Sequence, residues 1–97
     1  MGDRAGPVQV IVVLTTEVAR DFGTSGGWHG IGKEIEDILK DFGLAIQPLH
    51  PGSRDPTLAR YFVIDRIDAS VAHRLATRLR SSHAVESVYV KVPGETP

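Results

Sequence analysis

Seven residues near the start of the chain, Val8-Gln9-Val10-Ile11-Val12-Val13-Leu14, place the tightest constraint on its fold. Their side chains are mostly β-branched, stiff at χ1 and suited to a pleated, packed surface. The run reads as the central strand of a sheet, so the remaining residues must supply both its neighbours and its cover. Ile31, Ile35, Ile38, Leu39 and Phe42 recur at helical spacing, with Lys33, Glu34, Glu36, Asp37, Lys40 and Asp41 between them. That pattern predicts an amphipathic helix. Gly43 stands where a left-handed residue would end it, since glycine reaches positive φ without a Cβ clash. A second helix, capped by Asp68, carries Val71, Ala72, Leu75, Ala76 and Leu79 on its inner stripe and His73, Arg74, Thr77, Arg78 and Arg80 outside.

Three further segments have strand character: Leu44 to Leu49, Arg60 to Ile67, and Val85 to Val92. Pro48 cannot donate to a ladder and belongs at a sheet edge. Between the second and third strands, Pro51, Gly52, Ser53, Asp55 and Pro56 form a concentrated turn signal. The order β-α-β-β-α-β predicts an α+β fold, a ferredoxin-like sandwich: a four-stranded antiparallel sheet in the order 4-1-3-2 with two helices on one face. The other face is left open. On it should lie Ile11 and Val13 or their neighbours, Tyr61 or Phe62, and Tyr89, a partly apolar surface of the kind that binds partners.

At 97 residues the chain has room for a single core, so residues 1–97 read as one domain with a flexible start over 1–7 and an extended tail over 93–97. The absence of cysteine excludes thiol nucleophiles, disulfide frameworks and cysteine metal sites. The longest near-apolar run, Val8 to Leu14, is far short of the ~20 residues that span a bilayer. With no leader-like segment before it, a cytoplasmic location with no membrane partner is expected. Residues 1–45 hold 4 basic and 7 acidic side chains, residues 46–97 hold 7 and 5. No dense basic face follows from that mild asymmetry, which argues against nucleic acid as a partner.

Gly27-Trp28-His29-Gly30-Ile31-Gly32-Lys33 satisfies G-x-x-x-x-G-K, yet Glu34 follows where a Ser or Thr hydroxyl must ligate magnesium, and a carboxylate there repels phosphate. Phosphate-binding NTPase chemistry is therefore rejected. The glycines at 23, 26, 27, 30 and 32 read instead as a loop whose Trp28 covers the helix end, with an anion held on free amides at the helix start as the lesser alternative. His29, His50, His73 and His83 sit on different elements without metal-ligand spacing. None of the six serines lies in a nucleophile elbow. Asp65 and Asp68 flank a strand end, where capping accounts for them. RNA recognition by stacking needs aromatics two apart on the third strand and another on the first, whereas Tyr61 and Phe62 are adjacent. No enzymatic activity, cofactor or metal is expected.

Ile67 to Arg80 followed by Ala84-Val85-Glu86-Ser87-Val88-Tyr89-Val90 resembles the end of subtilisin propeptides and related free-standing inhibitors, in which an apolar strand enters a short helix and the chain then turns through a V-E-x-V strand into its tail. The likeness covers about a third of the chain in residue pattern. It implies a non-catalytic protein-binding module that acts as a protease inhibitor or folding aid. Its partner would be a subtilisin-type serine protease, and homo-oligomerisation stays open. The open sheet face would pack on the protease through Tyr89, while Val92, Pro93, Gly94, Glu95, Thr96 and Pro97 would lie in the substrate cleft. A second likeness, from Ile35 through Gly43 to Ile46, is to regulatory domains of the ACT type. It implies binding of a small molecule such as an amino acid, although Thr24 to Gly30 do not reproduce that family's effector-binding turn.

Overall fold

The computed structural model describes residues 7–25, 28, 30–50, 52 and 54–91. In chain order these form strand β1 (Val8–Leu14), helix α1 (Thr16–Ser25), helix α2 (Lys33–Phe42), strand β2 (Gln47–Pro48), strand β3 (Tyr61–Ile67), helix α3 (Ala69–Arg80) and strand β4 (Val85–Lys91). The sheet order is β2-β3-β1-β4, with every adjacent pair antiparallel. This is the expected 4-1-3-2 order seen from the other edge, and Pro48 stands in the edge strand.

Among the described residues three α-helices are present where two were expected. The missed helix, α1, is preceded by Thr15, whose carbonyl accepts the Ala19 N–H at 3.0 Å and whose hydroxyl accepts the Val18 N–H at 3.4 Å. Val18 and Ala19 are buried and Phe22 packs against the core. Burial of that short apolar face outweighs the poor propensity of Gly23, which made the segment read as loop.

Helix α2 begins at Lys33, after a 3-10 turn over Gly30–Gly32. Ile31 therefore leaves the predicted stripe and stands 44% exposed, while Ile35, Ile38 and Leu39 are buried. Gly43 ends the helix at φ 66°, and the Leu44 N–H returns to the Leu39 carbonyl at 3.0 Å. The strand expected from Leu44 to Leu49 shrinks to two residues. Leu44 and Ile46 turn toward the core instead of continuing a ladder.

Helix α3 is capped by Asp68, whose Oδ2 accepts the Ser70 N–H at 3.1 Å. Ala72, Leu75, Ala76 and Leu79 are buried as expected, but Val71 is only half-buried because it sits on the flank of the stripe. All three helices contribute to one core with Val8, Val10, Val12 and Leu14 of β1, Phe62, Ile64 and Ile67 of β3, and Val88 of β4.

Two bulges set the register. Val8 pairs with Ile67 and Val10 with Ile64, so Asp65 and Arg66 together oppose Gln9. Arg66 takes φ 58°, with its N–H on Asp65 Oδ1 at 2.9 Å. The extra residue turns both Ile64 and Ile67 inward despite their odd spacing. Likewise Val13 pairs with Ser87 and Leu14 with Val85, leaving Glu86 as the extra residue of β4.

Candidate functional site: the open face of the sheet

Alternation along β1 sends Val10, Val12 and Leu14 to the helices and Ile11 and Val13 to the opposite face. Ile11 pairs with Val63 on one side and Tyr89 on the other, and Val63 in turn faces Gln47. One row thus crosses all four strands: Gln47, Val63, Ile11, Tyr89. In the next row Val13 lies between Tyr61 and Ser87. Ile11, Val13 and Val63 are 3%, 6% and 6% exposed although they stand outside the core that the helices cover. Cross-strand neighbours about 5 Å away flank these central side chains on both sides.

Tyr89 differs from them. It lies in the edge strand β4 with a neighbour on one flank only, and it is 46% exposed. At the opposite rim Leu49 is also exposed, its N–H donating to the Tyr61 carbonyl at 2.9 Å, and the His50 ring meets Tyr61 edge-on at 6.2 Å between centroids. The face therefore has a buried apolar centre and an accessible aromatic at the β4 rim. Of Tyr61 and Phe62, Tyr61 belongs to this face and Phe62 to the core.

The segment Val85-Glu86-Ser87-Val88 owes its local form to the β4 bulge. Val85 and Val88 both turn to the core, and Glu86 is released to pair with Arg60. Arg60 also donates through Nε to the Leu14 carbonyl at 2.9 Å, tying the end of β1 to β4. Of the predicted partner-binding residues, only Tyr89 is placed. Val92, Pro93, Gly94, Glu95, Thr96 and Pro97 lie outside the described residues, as do Gly26, Gly27 and His29 of the glycine-rich segment.

Trp28 does cover the start of α2. Its ring lies 4.6 Å from Phe22 and 6.1 Å from Phe62 between centroids, and a Cβ built on Gly32 would come within 3.3 Å of it. Lys33 pairs on its own helix with Glu36 at 3.8 Å.

Sequence reasoning missed the role of Glu34. Its Oε1 accepts the Ser82 hydroxyl at 2.8 Å and the His83 N–H at 2.9 Å, and its Oε2 lies 3.5 Å from His83 Nδ1. The Ser82 hydroxyl above all, then the His83 amide, hold the Glu34 carboxyl below its ordinary value against the opposing effect of desolvation, with a lesser contribution from the His83 imidazole. Ser82 Oγ also accepts the Ala84 N–H at 3.1 Å. This serine donates to a carboxylate and not to a histidine, so the trio fastens α2 to the α3–β4 turn and lacks the proton path of a nucleophilic triad. A glutamate and a serine so far apart in sequence carry no local signal of their pairing. Among the described residues no three His, Asp or Glu side chains converge on a point where a metal could bind, and no helix is long and apolar enough to cross a membrane.

Compared with known proteins, the chain matches no family model, and no curated protein matches it in sequence.

Proposed function

We propose that this chain is a non-catalytic protein-binding module of ferredoxin-like form, acting as a propeptide-like inhibitor or folding aid of a subtilisin-type serine protease. The observation that supports this reading is the exposed Tyr89 at the rim of the Ile11–Val63 row, on the face that carries no helix among the described residues. Accessible aromatics at the margin of an apolar patch supply large contact area with few rotors to freeze. Docking there would leave the helix-covered core intact. The tail, residues 92–97, would then add as an extended strand in the protease cleft, with affinity carried by main-chain hydrogen bonds. That part rests on the resemblance of the preceding segment to the propeptide family.

The test is a steady-state inhibition assay against a panel of subtilisins with three chains: the intact protein, a variant lacking Pro93 to Pro97, and Tyr89→Asp. The intact chain should inhibit. Tail deletion should abolish or greatly weaken inhibition without loss of circular dichroism signal. Tyr89→Asp should weaken it independently, by placing a charge where the face must be desolvated. Failure of the intact chain to inhibit any member, together with a melting temperature raised by a free amino acid, would replace this reading with that of an ACT-like effector-binding domain.

A further inference from the structure

On the helical side, away from the open sheet face, a solvent-open surface cavity of about 320 Å³ is lined by Phe42 at the end of α2 and by the exposed Arg74, Thr77 and Arg78 of α3. The three α3 residues follow at i, i+3 and i+4, which puts them on one side of the helix. Arg78 is already held: its Nη2 lies 3.0 Å from Asp41 Oδ2, and its guanidinium carbon stands 5.8 Å from the centroid of the Phe42 ring. Thr77 is committed as well, its hydroxyl donating to the His73 carbonyl at 3.0 Å, which leaves its methyl as wall. Arg74 alone has no hydrogen-bond or ion-pair partner among the described residues.

The charges at this cavity are therefore two guanidiniums against one carboxylate, a surplus of one positive charge with a free planar donor. The neighbouring cavity, across Arg78, has the opposite character, with Glu34 and Asp37 in its lining. An anion is favoured on one side of Arg78 and repelled on the other.

We propose that the Phe42–Arg74–Arg78 cavity binds a small aromatic carboxylate. The single surplus charge suits a monoanion better than a dianionic phosphate. The Arg74 fork matches a carboxylate with two parallel N–H donors. The uncovered part of the Phe42 ring offers a flat apolar surface for the ligand's own ring. A volume near 320 Å³ falls at the small end of the range that ligand sites occupy.

The experiment is a 1H–15N correlation titration of the intact chain with benzoate, acetate and benzyl alcohol as probes, repeated on Arg74→Gln. Benzoate should shift the amides of Phe42, Arg74, Thr77 and Arg78 saturably in the millimolar range, and acetate and benzyl alcohol, each lacking one half of the ligand, should bind more weakly. Arg74→Gln should keep the spectrum of the folded chain, because Arg74 makes no polar contact in it, and should lower benzoate affinity about tenfold. Equal affinity in the variant, shifts centred away from these four residues, or no saturable shift with benzoate would overturn the assignment. None of these outcomes depends on the protease reading, which concerns the opposite side of the sheet.

Discussion

The two faces of the sheet are built from the same strand by the same residue types, yet they are completed differently. Toward the helices, Val10, Val12 and Leu14 meet Leu75, Leu79 and Ile35 in a core closed on every side. On the other face Ile11 and Val13 have strand neighbours on both flanks and are almost as little exposed as the core, whereas Tyr89 is 46% exposed. Exposure on this face rises at the rim, where a strand lacks one neighbour and the ring of Tyr89 reaches water.

Truncating one residue on each face separates the two modes of burial. Leu75→Ala removes volume from a closed core that collapses incompletely, and chemical denaturation should read a loss of about 2–5 kcal/mol. Ile11→Ala should cost less, roughly 2 kcal/mol, because Ile11 stands outside the cluster that the helices close and its neighbours can settle into the space. Equal losses would mean that the sheet's open face is as enclosed as its core, and a loss below about 1 kcal/mol at Leu75 would mean that α3 presents another side inward.

A smaller effect probes the tie between α2 and the α3–β4 turn. The Glu34 carboxyl titrates below its ordinary value of 4.5 when folded, so its contribution to stability is complete above that value and is lost as pH falls through the lower, folded one. Asp68, lowered by its Ser70 contacts at the α3 cap, acts in the same direction. Stability of the intact chain should decline on acidification through this range. In Glu34→Gln the decline should be shallower, with reduced stability at neutral pH. An unchanged acid profile in that variant would detach Glu34 from the helix-side scaffold.

The smallest expected effect lies at the β3 bulge. Arg66 holds φ 58°, a region that disfavours a residue with a Cβ by about 1–2 kcal/mol. Arg66→Gly relieves this, offset by about 0.5–1 kcal/mol of extra chain entropy in the unfolded state. A gain of up to about 1 kcal/mol is expected. Loss of stability would show that the Arg66 side chain itself supports the bulge.

The features that could be read from the chain are those written locally: the β-branched run of β1, the Asp68 cap, the Gly43 stop, the edge position of Pro48 and the inward stripe of Leu75 and Leu79. Each depends on a few consecutive residues and their period. Helix α1 was hidden because its apolar face is short and a glycine follows it, so only tertiary packing of Val18, Ala19 and Phe22 declares it. The bulges were hidden because an extra residue changes the parity of a strand without changing its composition. For the candidate site, alternation sufficed to put Tyr89 on the open face. The row it completes with Ile11 and Val63 needed the pairing register, and so did the pairing of Glu86 with Arg60.

The place of β1 in the sheet has a consequence for how the chain is made. Its two partners, Tyr61–Ile67 and Val85–Lys91, both belong to the second half of the chain. During synthesis the seven residues of β1 leave the ribosome before both partners and stay without either neighbour until β3 emerges. One of their edges remains unpaired until residue 91 is free. Such distant pairings slow folding, and an unsatisfied strand of valine and isoleucine is an invitation to self-association while it waits. Nascent chains halted between α3 and β4 should therefore be far more prone to aggregate, or to recruit chaperones, than chains a few residues longer.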